Sequence, residues 1–212
     1  MQILIVSATH KESDFLKTLN HKVCTLISGA GIFSTIFTLT EALNKKPYDL
    51  CINIGIAGSF NRSIQLAQVV NVTSDSFPEF GAQDGDSFIP ASTLGLMDGN
   101  KLPFEDGVIR NKFEINSAVL SSIKQVTGIT KMTVTGNQTS VKQFEKFNAG
   151  VESMEGAAFF YVCRLKNIPC LQIRAVSNYV ERRNRQAWQL PEALNSLENF
   201  MTTFLDELSA TK

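Results

Sequence analysis

The stretch from Val151 to Glu181 constrains the fold more than any other part of the chain, because it joins a short apolar helix to a long apolar strand with polar residues at both ends. It reads Val-Glu-Ser-Met-Glu-Gly-Ala-Ala-Phe-Phe-Tyr-Val-Cys and, after a short link, Ile-Pro-Cys-Leu-Gln-Ile-Arg-Ala-Val-Ser-Asn-Tyr-Val-Glu. Ala157, Ala158, Tyr161 and Val162 recur at helical spacing. The run Leu171 to Val176 has the length and β-branched content of a buried parallel strand. In open α/β sheets small molecules bind at the carboxyl edge of such strands. Glu155 opens the helix, where the dipole favours a carboxylate, and Ser177 and Asn178 lie just past the strand. Taken singly, Glu155 fits a helix cap and Asn178 a turn residue equally well.

Strand-like and helix-like segments alternate along the rest of the chain. Gln2 to Ser7 reads as a central strand, followed by the polar segment Thr9-His10-Lys11-Glu12-Ser13-Asp14. Glu12 thus falls near a strand's carboxyl end, although a solvated first-turn glutamate has the same signature. His10 reads as a surface residue. Lys22 to Ile27 forms a second strand, and Ser28-Gly29-Ala30-Gly31 opens a helix from Ile32 to about Leu43. A glycine turn there can cradle an anion, but it lacks the third glycine of a dinucleotide fingerprint and the Gly-Lys-Ser/Thr of a phosphate loop. Asp49 to Asn53 runs into the glycine-containing turn Gly55-Ile56-Ala57-Gly58, which brings backbone amides close to a ligand. Gln68 to Thr73 is the next strand.

Ser74 to Gly107, broken by Pro78, Pro90 and Pro103, has no clear period, and so long a loop suggests a lid or a subunit contact. A helix near Asn116 to Ile123 precedes a strand from Lys131 to Thr135, ended by Gly136-Asn137-Gln138-Thr139, and a polar helix around Val141 to Phe147. The closing helix, Pro191 to Leu208, carries Leu194, Leu197, Met201, Phe204 and Leu208 at steps of three and four. The pattern predicts one domain over residues 1–212. Its class is α/β, a three-layer α/β/α sandwich with a mixed, mainly parallel central sheet.

Composition narrows the function. Lys plus Arg equals Asp plus Glu at 20 each, and no basic cluster exceeds the Arg182-Arg183 and Arg185 group, so the chain has no electrostatic footprint for nucleic acid or an acidic membrane. The apolar N-terminus is too short, and lacks the basic leader, for a signal peptide. Cys24, Cys51, Cys163 and Cys170 lie in apolar segments without Cys-x-x-Cys spacing, which predicts buried reduced thiols and a reducing cytoplasm. The expected partner is a small molecule.

Taken together, the turns resemble the nucleoside phosphorylase and nucleosidase superfamily, with matches in order over nearly the whole chain. Val-Glu-Ser-Met-Glu-Gly-Ala-Ala matches its ribose clamp, which implies that Met154 packs on the sugar and Glu155 accepts from the 2′ and 3′ hydroxyls. Arg174-Ala175-Val176-Ser177-Asn178 matches its base-recognition strand, whose last position is Asp in the adenine-specific methylthioadenosine/adenosylhomocysteine nucleosidases and Asn here. The string Arg-Ala-Val-Ser-Asn-Tyr-Val-Glu-x-Arg-Asn-Arg, with Trp188 following, looks most like the futalosine hydrolase family of the alternative menaquinone pathway.

The resemblance implies hydrolysis of a purine N-glycosidic bond, with Glu12 as the general base for water and Asn178 stabilising the departing hypoxanthine. It further implies a base pocket lined by Ile56, Ala57, Gln138, Thr139 and Ser177, an arginine such as Arg183 for a substrate carboxylate, no metal or organic cofactor, and at least a homodimer. Phosphorylases of the superfamily carry a phosphate-binding arginine two residues before the Gly55 position, where this chain has Asn53. An amide suits a 6-oxopurine, because it donates to the oxygen that gains charge as the base leaves. The alternatives are a nucleosidase for inosine or methylthioadenosine, or a nucleoside-binding sensor on the same fold.

Overall fold

The computed structural model describes residues 1–19 and 21–210. Its elements in chain order are β1 (Ile3–Ser7), β2 (Val23–Ile27), α1 (Ile32–Lys45), β3 (Leu50–Ser59), β4 (Val69–Asp75), β5 (Gly81–Asp84), β6 (Ser87–Pro90), β7 (Ile109–Arg110), α2 (Ala118–Ser121), β8 (Lys124–Thr130), α3 (Gln138–Glu145), β9 (Val151–Ser153), α4 (Gly156–Leu165), β10 (Cys170–Tyr179) and α5 (Leu190–Ala210). Two short 3₁₀ segments, His10–Glu12 and Asp14–Thr18, follow β1.

Helices cover both faces of a mixed sheet, giving the expected three-layer α/β/α sandwich. Residues of β1 alternate between the two cores. Leu4 and Val6 join Leu39 of α1 and Phe159, Phe160 and Val162 of α4 on one side. Ile3 and Ile5 join Leu197, Met201 and Phe204 of α5 on the other. Asn137 caps α3 and Ser117 caps α2 through side-chain oxygens that accept backbone N–H groups.

The sheet is not the open ladder that strand–helix alternation suggests. The strands β10, β4, β8, β9 and β3 pair in series, and β3 pairs back onto β10, which closes a ring. Closure requires antiparallel contacts of β10 with β4 and of β3 with β9, while β1 and β2 extend the sheet in parallel beyond β3. The ten-residue β3 makes this possible. Its first half pairs with β1 and its last two residues with β9, while β10 lies along its other edge from Cys51 to Ser59.

Several boundaries differ from the sequence reading. Gly55 to Gly58 is the continuation of β3 rather than a turn. Ser177 and Asn178 belong to β10, and a β-bulge there sets Val176 opposite Ala57 but Asn178 opposite Gly58. The strand expected at Lys131 to Thr135 lies at Lys124–Thr130, because there both β4 and β9 offer it edges in parallel register. The long stretch after Ser74 is not structureless, since β5 and β6 form a hairpin within it. Cys51, Cys163 and Cys170 are buried free thiols as expected, whereas Cys24 is half-buried.

Candidate active site

Glu12, Ile56, Ala57, Met154, Glu155, Ser177, Asn178 and Arg183 all line one cavity of about 400 Å³, at the ends of β1, β3, β9 and β10. Gln138 and Thr139 do not. They occupy the exposed first turn of α3, and the cavity wall on that side is made by Val134 and Thr135 instead. Because β8 ends earlier than expected, the chain crosses the cavity before reaching the glycine turn.

Glu12 is not a solvated surface glutamate, for only 8% of it is exposed. One oxygen accepts from the backbone and hydroxyl of Thr9 at 2.9 and 3.0 Å, and the other from the Ile56 N–H at 3.3 Å. Behind it stands Arg174, 1% exposed and held by the side chains of Asn53 and Gln172. A methyl group on Gly55 would lie 2.5 Å from the guanidinium and 2.7 Å from the Glu12 carboxylate, which is why this strand position is glycine. The sequence signal for Arg174 is a charge inside the apolar run Leu171 to Val176.

Glu155 stands at the N-cap of α4 but makes no capping hydrogen bond. Its carboxylate crosses to the start of α1, where the Gly31 N–H donates to Oε1 at 2.9 Å. The Ser28 to Gly31 turn therefore cradles an anion, and the anion is the protein's own carboxylate. This contact leaves the second oxygen for a ligand. Beneath α4, Asp75 accepts from Ser76 N–H, the Thr130 hydroxyl and Gln172, and the same Thr130 oxygen accepts from Ala157 N–H in the first turn of α4. Burial pushes the Asp75 carboxyl up to about 6 against the pull of those hydrogen bonds.

At the other end of the cavity the Ser177 hydroxyl donates to Asn178 Oδ1 at 2.9 Å, which orients the amide, and one hydrogen of Nδ2 goes to the Tyr179 carbonyl. The second hydrogen is uncommitted. Glu152, also missed in the sequence, is 4% exposed and lines the same end, with Thr135 N–H and hydroxyl donating to its two oxygens at 2.9 and 2.7 Å. Burial raises its pKa, opposed by the Thr135 hydrogen bonds and by Lys131. Arg183 is exposed at the mouth, its guanidinium 5.4 Å from the centre of the Trp188 ring. Asn53 is fully buried away from the cavity, its amide donating to the Val6 carbonyl. Among the described residues, no cluster of three or more His, Cys, Asp or Glu is disposed to hold a metal, and no helix is long and apolar enough to cross a membrane.

Known proteins resemble this chain in sequence and in fold. A futalosine hydrolase of Streptomyces coelicolor is 32% identical over 158 residues, 74% of this chain, and the match spans 65% of that relative's length. An aminodeoxyfutalosine nucleosidase of Campylobacter jejuni is 25% identical, over 77% of this chain and 71% of its own. The Streptococcus pneumoniae MTA/SAH nucleosidase, solved with 8-aminoadenine, superposes with a TM-score of 0.81 at 18% identity, covering 98% of this chain and all of that one. The family model described as the phosphorylase superfamily matches residues 9–210, so nearly every element that builds the cavity falls inside it, and the chain belongs to that superfamily.

Proposed function

We propose that this chain is a futalosine hydrolase, which cleaves the N-glycosidic bond of futalosine with water and releases hypoxanthine and dehypoxanthine futalosine in the futalosine route to menaquinone. The observation that carries the reading is Asn178, an oriented amide with one uncommitted N–H, in a cavity that also contains two buried carboxylates suited to ribose and to water. As the glycosidic bond lengthens, negative charge grows on the purine and positive charge on the anomeric carbon. Asn178 donates to the 6-oxo edge of the leaving base, and Glu155 accepts from the ribose hydroxyls. Met154 packs against the sugar, while Ile56, Ala57 and Ser177 line the base end.

Glu12 takes the proton of the attacking water. The oxocarbenium-like carbon is electrophilic, so the base is needed late, and its three hydrogen bonds and the neighbouring Arg174 fix its position. Water is favoured over phosphate because Asn53, at the position of the phosphorylases' arginine, is used up inside the protein by Val6 and Arg174. At the cavity mouth Arg183 offers a guanidinium to the carboxylate on the 5′ side of futalosine. The protein works in the cytoplasm as a homodimer. Exposed Phe33 and Phe37 of α1, 72% and 69% accessible, support association next to the Gly31 turn.

The test is to incubate the purified protein with futalosine, its 6-amino analogue, inosine and methylthioadenosine, with and without phosphate, and to identify the released base and sugar. Hypoxanthine and a free sugar from futalosine, at a rate independent of phosphate, are expected. A sugar 1-phosphate, or faster release of adenine than of hypoxanthine, contradicts the proposal.

A further inference from the structure

Three strands place a buried carboxylate beside Asn178. In the ladder, Glu152 of β9 pairs with Gly58 of β3, and Gly58 in turn pairs with Asn178 of β10, so the three residues form one row across the sheet. The middle position has no side chain. A methyl there would lie 3.2 Å from Asn178 Nδ2 and 3.6 Å from Glu152 Cγ, so a carboxylate and an amide converge above a bare strand. Both line the cavity.

The network behind Glu152 sets which atoms it can offer. The buried Lys131 ammonium donates to Thr135 Oγ1 at 2.9 Å, so the Thr135 hydroxyl proton is directed at Glu152 Oε2 at 2.7 Å, while Thr135 N–H serves Oε1. Each carboxylate oxygen accepts a hydrogen bond from Thr135, which makes Glu152 a hydrogen-bond acceptor toward the cavity. Asn178, its carbonyl taken by Ser177, is a donor. We infer that Glu152 is a specificity-determining residue, which accepts the ring N1–H of a 6-oxopurine while Asn178 donates to the adjacent O6. A lactam edge presents a donor next to an acceptor, whereas a 6-aminopurine presents the reverse at both positions and would leave both protein groups unpaired.

The inference rests on the proposed 6-oxopurine cleavage and can fail separately from it. Inhibition of futalosine cleavage is measured with hypoxanthine and with 1-methylhypoxanthine, which lacks the N1 proton, in the wild type and in Glu152→Gln. The wild type should bind hypoxanthine at least ten times more tightly. In Glu152→Gln that preference should shrink to less than threefold through weaker binding of hypoxanthine, with 1-methylhypoxanthine little changed. A merely structural role would weaken both bases together, and that result overturns the inference. Should the variant fail to fold, equal binding of the two bases by the wild type overturns it just as well. If futalosine is cleaved normally and the bases are not distinguished, Glu152 alone is misassigned; if futalosine is not cleaved, the functional reading falls too.

Discussion

At the scale of single residues, the cavity was legible wherever a polar side chain followed a long apolar run. Glu12 and Asn178 stand out in this way and Glu155 as the residue that opens a helix, and each is held by neighbours that the sequence does not reveal. Glu152 was missed because its partners come from Thr135 and from the strand register. Glu12→Gln should keep the fold and ligand affinity but lower kcat about 10²- to 10⁴-fold, since an amide cannot take the proton of water. Near wild-type turnover removes Glu12 from the mechanism. Asp75 makes a pH prediction. Its folded pKa of about 6 lies above the ordinary 3.8, so the native state binds the proton more tightly than the unfolded chain does. The resulting stabilisation is full below about pH 4 and is lost as pH rises through 6. Its size is about 3 kcal/mol, from roughly 1.36 kcal/mol per unit. Urea titrations from pH 4 to 7 should show this decline in the wild type relative to Asp75→Asn; parallel curves contradict it.

At the scale of elements, types were read better than ends. The apolar strands β1, β2, β3 and β10 and the helices α1, α4 and α5 all stand near their expected positions. The misreadings share one cause, which is that pairing partners distant in sequence decide where a strand stops. Gly55 looked like a turn and is a strand residue that makes room for Arg174 and Glu12. Met132 and Val134 looked like strand residues and are exposed, because the β8 ladder ends at Thr130. Gly156 has a similar reason to be glycine. A methyl there would overlap the buried Gln172 and Asp75 side chains, so the first turn of α4 packs flush on β4 and β10. Gly156→Ala should destabilise the protein by about 1–3 kcal/mol. It should also lift the turn that carries Glu155, so KM rises along with the loss of stability. Unchanged melting and KM would mean that α4 does not need this close approach.

At the scale of the whole molecule, ring closure of the sheet was invisible in the sequence, because strand–helix alternation says nothing about the β3–β10 pairing. That closure places Glu152, Gly58 and Asn178 in one row, in the same cavity as Glu12 and Glu155. The exposed Phe33 and Phe37 give a prediction at the same scale: Phe33→Asp with Phe37→Asp should shift sedimentation from dimer to monomer, and an unchanged profile places any subunit contact elsewhere. The claim on which everything else depends is that this cavity reads a 6-oxopurine through an amide. It is tested most directly by the ratio of kcat/KM for futalosine over its 6-amino analogue, measured in the wild type and in folded Asn178→Asp. Replacing the donor with a charged acceptor facing O6 should cut that ratio about 30- to 1000-fold, the equivalent of roughly 2 to 4 kcal/mol. A ratio that is the same in both proteins would mean that Asn178 does not read position 6.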